Sequence, residues 1–175
     1  DDLIVIDPEH EFTPLCDGLG GERVEIGESS RAHINALDIE YEDDSEGDPI
    51  RSKCASVLNM LGVLIGGQDG IDRMQRSLID RTVIGMYREV REHPELGMPT
   101  LATLHDRLAA LGEPGGRDAA RALEIYATGS LNAFSHATDV DTSSRFLVYD
   151  VSGLGAELRT FGMLVVLDQI WNRVV

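Results

Sequence analysis

At 175 residues, 42% hydrophobic and 26% charged, the chain has the balance of an ordinary globular domain with enough apolar content to bury a core. Its formal net charge of −16, from 31 acidic and 15 basic residues, repels phosphate backbones and argues against direct nucleic-acid binding. No apolar run reaches the ~18 residues of a membrane span, which argues against membrane insertion, and two cysteines, Cys16 and Cys54, make no disulfide or zinc framework.

Leu3 to Ile6 is a continuous apolar run closed by Asp7-Pro8, the mark of a buried strand in a parallel sheet. A loop or short helix follows, then a turn at Gly18-Leu19-Gly20-Gly21 and a second strand over Arg23 to Ile26, where polar and apolar residues alternate. Ser29 to Asp48 is polar and acidic, so it is expected to be irregular and mostly exposed. Helices are predicted over Ile50 to Ile65, Asp72 to Arg91, Leu101 to Leu111 and Gly116 to Thr128, from apolar residues at helical spacing. Pro49 suits a first turn, Thr100 an N-cap, and Gly66-Gly67 and Gly112 act as stops. Cys54 falls on the apolar face of the first of these helices and reads as a core residue. Phe146 to Tyr149 is a third strand ending at Asp150, and Leu154 to Val175 a last long helix with Leu158, Phe161, Val165 and Trp171 on its core side. The division is therefore an α/β part over 1–48, an all-helical insertion over 49–140, and a return to α/β over 141–175. Both ends run straight out of apolar elements, so both are expected to be cuts inside a larger domain.

A phosphate-binding loop needs glycines for close backbone approach and a lysine for the β and γ phosphates. The only lysine is Lys53, in Arg51-Ser52-Lys53-Cys54, with no glycine pattern ahead of it. Two apolar strands end in Asp, LIVID at Asp7 and FLVYD at Asp150. Such an aspartate holds Mg²⁺ in some nucleotide hydrolases, or simply caps the next turn. For Asp150 the capping role is the expectation. Glu9-His10-Glu11 with His33 lacks metalloprotease spacing and reads as solvated loop. The acidic stretch Asp38 to Asp48 resembles a calcium loop, but a pattern begun at Asp43 puts Gly47 one place early, so it reads as solvated too. No nucleophile-elbow motif accompanies the serines and histidines.

The string Ile4-Val5-Ile6-Asp7-Pro8-Glu9-His10-Glu11-Phe12 resembles the "apolar-apolar-Asp-Pro-Glu-x-Glu-aromatic" box of the conjugal-transfer ATPases of type IV secretion, the VirB-four/TraC class. Further segments resemble that family in order: Leu19-Gly20-Gly21-Glu22, then His33-Ile34-Asn35-Ala36-Leu37-Asp38, where Ala36 replaces the usual proline. Ser77-Leu78-Ile79-Asp80-Arg81, Gly129-Ser130-Leu131-Asn132-Ala133-Phe134 and Asp168-Gln169-Ile170-Trp171-Asn172-Arg173-Val174 follow. The resemblance spans nearly the whole chain and is strongest to members from Gram-positive conjugative elements.

It implies a partial RecA-like parallel sheet with an inserted helical subdomain, lying between Walker A and Walker B of a P-loop motor of the FtsK–HerA branch. For the whole protein it implies Mg-ATP hydrolysis, a homo-hexamer working with other type IV secretion components, and a cytoplasmic place at the inner face of the cytoplasmic membrane. For this chain it implies neither ATP nor metal binding, since both Walker motifs are missing. Asp7, Glu9 and Glu11 are placed at the C-terminal end of a strand, with a supporting role in the whole protein only: orienting water or pairing with an arginine. The exposed strand edges are expected to make the chain self-associate through Leu3 to Ile6 and Leu154 to Val175. The competing reading is an acidic helical module that docks a protein partner and has no enzymatic role.

Overall fold

A computed structural model of the chain describes residues 2–41, 48–67 and 69–174. The residues of the calcium-loop comparison from Asp43 to Gly47 lie outside that set. Three strands, β1 (Leu3–Asp7), β2 (Glu22–Glu25) and β3 (Phe146–Asp150), form one sheet in the order β1-β3-β2. Both pairings are parallel; Leu3 to Asp7 register with Phe146 to Asp150, and Glu22 to Glu25 with Leu147 to Asp150. The central strand is buried on both faces, as its unbroken apolar run requires.

Helix α1 (Thr13–Leu19) joins β1 to β2 and packs on β2 and β3. The predicted glycine turn is its C-terminus: Gly20 stands at φ 67°, and Gly21 donates to the Cys16 carbonyl at 2.9 Å. A Cβ on Gly21 would lie 2.5 Å from the Phe146 ring, so glycine is what lets this turn close against β3.

Between β2 and β3 come α2 (Pro49–Ile65), α3 (Arg73–Glu92), α4 (Leu101–Ala110) and α5 (Pro114–Ala127). Their starts are chemically marked. Asp48 accepts from Ile50 N at 3.1 Å, and Asp72 accepts from Met74 N and Gln75 N at 2.7 and 2.9 Å. Thr100 and Thr103 cap one another's backbone. These helices bury Val57, Leu61, Ile79, Tyr87, Leu104 and Leu123 among themselves, and Cys54 lies in the same core. Burial pushes the Cys54 thiol up to about 12.

Helix α6 (Ala156–Val174) begins two residues later than its apolar pattern suggests, because Gly153-Leu154-Gly155 forms the turn out of β3. It packs on α2 and β1, and its Phe161 meets Phe134 edge-on at 5.4 Å. A buried ion pair fixes α6 to α2: Lys53 Nζ meets Asp168 Oδ2, and the Ser56 hydroxyl donates to the other carboxylate oxygen.

The segment after β2 corrects one expectation. Its described residues are irregular, but they are not mostly exposed: Ile34, Asn35, Ala36, Leu37 and Ile39 are buried. An irregular strand of backbone can enter a core only if its polar groups find partners. Here the Asn35 amide donates to the Pro99 carbonyl at 2.9 Å and its oxygen accepts from Leu37 N at 3.0 Å. The Tyr87 hydroxyl donates to the Leu37 carbonyl at 2.8 Å, and Thr138 Oγ1 accepts from Asn35 N at 2.9 Å. The acidic residues around this apolar knot dominate the local composition and hide it. Among the described residues no helix is long and apolar enough to cross a membrane.

Candidate functional site

The connection from β1 to β2 moves two places across the sheet, and that from β2 to β3 moves one place back. With right-handed crossovers the two run over opposite faces. Helix α1 then lies on one face, and α6, which packs on α2, on the other. Neighbouring strands β1 and β3 thus send their chains to opposite sides, and the crevice beyond their C-terminal ends is where open α/β sheets bind ligands.

Asp7 and Asp150, register partners in the β1–β3 ladder, end the two strands there, and both side chains are buried. A buried carboxylate must be satisfied by donors. Asp7 takes them from its own loop: Glu9 N and Glu11 N reach Oδ1 at 3.3 and 3.1 Å, and Phe12 N reaches Oδ2 at 2.9 Å. Pro8 has no N–H to offer and a fixed φ, which helps turn the loop over the aspartate. Asp150 caps its turn as expected, accepting from Ser152 N at 3.1 Å and Ser152 Oγ at 2.6 Å. It also receives His10 Nδ1, and Arg23 Nη1 stands 3.6 Å away. Burial alone would raise the Asp150 carboxyl, but the Ser152 hydroxyl and the His10 ring outweigh it, and the group is held below its ordinary value.

Of the three sequence-selected carboxylates, Asp7 therefore points inward and is engaged by backbone, while Glu9 and Glu11 are exposed on the loop surface. Glu9 Oε1 lies 3.8 Å from Arg159 Nη1 of α6, a loose ion pair across the crevice. Among the described residues, buried Arg159 Nε finds no hydrogen-bond partner. The loop histidines separate: His10 turns to Asp150, whereas His33 bonds Asp139 at 2.8 Å through its ring and at 2.7 Å through its backbone N–H. Among the described residues no three His, Cys, Asp or Glu side chains are grouped to hold a metal ion. Beside the crevice an open cavity of about 430 Å³ is lined by His10 and Asp150 with Gly27, Ser30, Ser152 and Gly153.

Sequence reasoning weighs His10 only with Glu9, Glu11 and His33 as a metal set and reads it as solvated loop, whereas its ring bonds Asp150. Arg23 and Arg159 it misses altogether, since no local pattern marks them. His10 and Asp150 are 140 positions apart and meet only because β1 pairs with β3.

No family model matches the chain, and no curated protein matches its sequence. A solved structure, that of VirB4 of Thermoanaerobacter pseudethanolicus, superposes with a TM-score of 0.82 at 20% identity, covering 99% of this chain and 69% of that one. At that identity the likeness is one of fold. Over nearly its whole length, the chain has the fold of VirB4.

Proposed function

We propose that the chain is the stretch of a type IV secretion ATPase that lies between its two nucleotide motifs, and that the whole protein powers conjugative transfer. The observation that carries this reading is the fold shared with VirB4 across 99% of the chain. The ordered family-like segments, which span the same length, support it. In this reading 1–48 and 141–175 belong to a RecA-like core and 49–140 is an insertion. The crevice beyond β1 and β3 faces the nucleotide, and Glu9, beside Arg159, stands ready to orient water or to exchange partners with that arginine. Catalysis itself, ATP and Mg²⁺ belong to the parts of the protein that carry Walker A and Walker B. The working form is a homo-hexamer at the inner face of the cytoplasmic membrane.

The direct test compares two proteins. Calorimetric titration of this chain with a non-hydrolysable ATP analogue should show no heat, because its sequence carries no glycine-rich phosphate loop with its lysine. The frame extended on both sides should contain GxxxxGK[ST] upstream and an Asp-Glu pair downstream, and its product should hydrolyse ATP. An extended frame without either motif refutes the proposal, and binding to the short chain tighter than about 10 µM (about −7 kcal/mol) reveals a nucleotide site of its own.

A further inference from the structure

The loop of residues 8–12 is held from two sides. Asp7 holds it from beneath through three backbone N–H groups. His10 holds it from the side, through Nδ1 on the buried carboxylate of Asp150. His10 stands at φ 60°, the only non-glycine residue with positive φ among the described residues. A side chain in that region is sterically disfavoured, so the conformation persists only where something compensates. The bond to Asp150 is the compensation on view, and it is stronger when the imidazole is charged than when it is neutral. His10 Nε2 faces the solvent side, 3.4 Å from Thr13 Oγ1, and the ring is half exposed, so protons reach it.

We propose that His10 is a proton-dependent latch on the acidic box: charged, it pins the loop to the end of β3 and sets where Glu9 and Glu11 stand; neutral, it holds the loop less tightly. The elements around it differ in the charge they bring. Asp150 lies on β3. On β2, Arg23 shares Asp150 with His10 but is also paired with Glu25 at 2.6 Å, so the two largely neutralise each other. Glu28, in the loop after β2, lines the same cavity. Helix α1 offers only the neutral Thr13, and α6 offers Arg159, which faces Glu9. Among the described residues, the charged group in direct contact with the ring is the Asp150 carboxylate. His10 is thus a positioning residue, acting on the glutamates through the loop. Its consequence for turnover rests on the ATPase reading; the latch itself is a property of this chain and can be tested without nucleotide.

Hydrogen exchange of the Glu11 and Phe12 amides, corrected for intrinsic rates, reads the latch directly. Their protection should fall on the order of tenfold between about pH 5 and about pH 8, the span in which an imidazole changes charge. His10→Asn tolerates a left-handed φ but is too short to reach Asp150 and does not titrate. It should show low protection at every pH, with the urea midpoint of the whole chain little changed. Asp150→Asn should likewise flatten the pH course; because it alters a buried group, His10→Asn is the decisive variant. The same pH course in wild type and His10→Asn, or wild-type protection in His10→Asn at about pH 5, overturns the proposal.

Discussion

Asp7→Asn separates the two roles open to the acidic box. The wild-type carboxylate spreads three backbone donors over two oxygens, Glu9 N and Glu11 N on one and Phe12 N on the other. An asparagine has one acceptor oxygen, and its NH₂ must face a backbone N–H whichever way the amide is turned. At least one part-buried donor is orphaned and the charge assistance is lost. Hydrogen bonds to charged groups contribute ~1.5–3 kcal/mol each, so a loss of about 2 kcal/mol is expected. For a chain of this size that lowers Tm by roughly 4–8 °C. Urea and thermal denaturation of the isolated chain measure it. An unchanged Tm would mean that the loop does not hang on Asp7 and would refute the reasoning. Glu9 is the cleaner probe of mechanism. It is exposed and its pair with Arg159 is loose, so Glu9→Gln should change stability by no more than ~0.5 kcal/mol. In the whole ATPase, a working role for Glu9 predicts turnover reduced at least tenfold, about 1.4 kcal/mol of barrier. Unchanged turnover leaves the box a structural turn.

Other perturbations follow from the same coordinates. Removing Asp168 strands Lys53, whose side chain is 5% exposed, so Asp168→Ala should cost about 3–5 kcal/mol, whereas replacing both partners by apolar residues (Lys53→Met with Asp168→Leu) should cost much less; equal losses by chemical denaturation would contradict a desolvated pair. Asp150 has a depressed folded-state value, so it stabilises the fold above the ordinary carboxylate range, and that contribution is lost as pH falls through the folded value. The stability gap between wild type and Asp150→Asn should therefore be open above the ordinary carboxylate range and close on acidification below it, and a gap that persists below that range refutes the assignment. At the outer edge of β1, Leu3 is 50% exposed, and on α6 Trp171 is 68% exposed. Sedimentation over a range of concentrations should show a dimer or larger species, and a monomer throughout argues that these apolar groups are tolerated in water.

Much of the fold was legible because its signals are local. The run Leu3 to Ile6, stopped by Asp7-Pro8, and the run Phe146 to Tyr149 both form strands, but only the second is the buried central strand; β1 lies at the sheet edge with Leu3 exposed and Ile4 to Ile6 part-buried. The helices between them are written in 3.6-residue spacing and in end chemistry, such as Pro49 at the start of α2 and Thr100 ahead of α4. Each of these readings depends on residues within a turn or two of one another. The resemblance of the Asp7 to Phe12 box to the transfer ATPases was local in the same sense, and the fold agrees with the likeness it suggested.

What the tertiary structure alone decided are the partners. Composition over Ser29 to Asp48 averages an apolar knot with its acidic surroundings, and only the packing of Tyr87, Pro99 and Thr138 around Asn35 shows that the knot is inside. Whether Asp7 faced outward with Glu9 and Glu11 or inward to its own backbone depended on how the loop closes after Pro8. The meetings of His10 with Asp150, Lys53 with Asp168 and Glu9 with Arg159 join positions more than a hundred residues apart. A single sequence carries propensities, which act through neighbouring backbone; it does not carry which distant elements share an edge of the sheet. Strand order and register supply that, and they bring the charged residues of the crevice together.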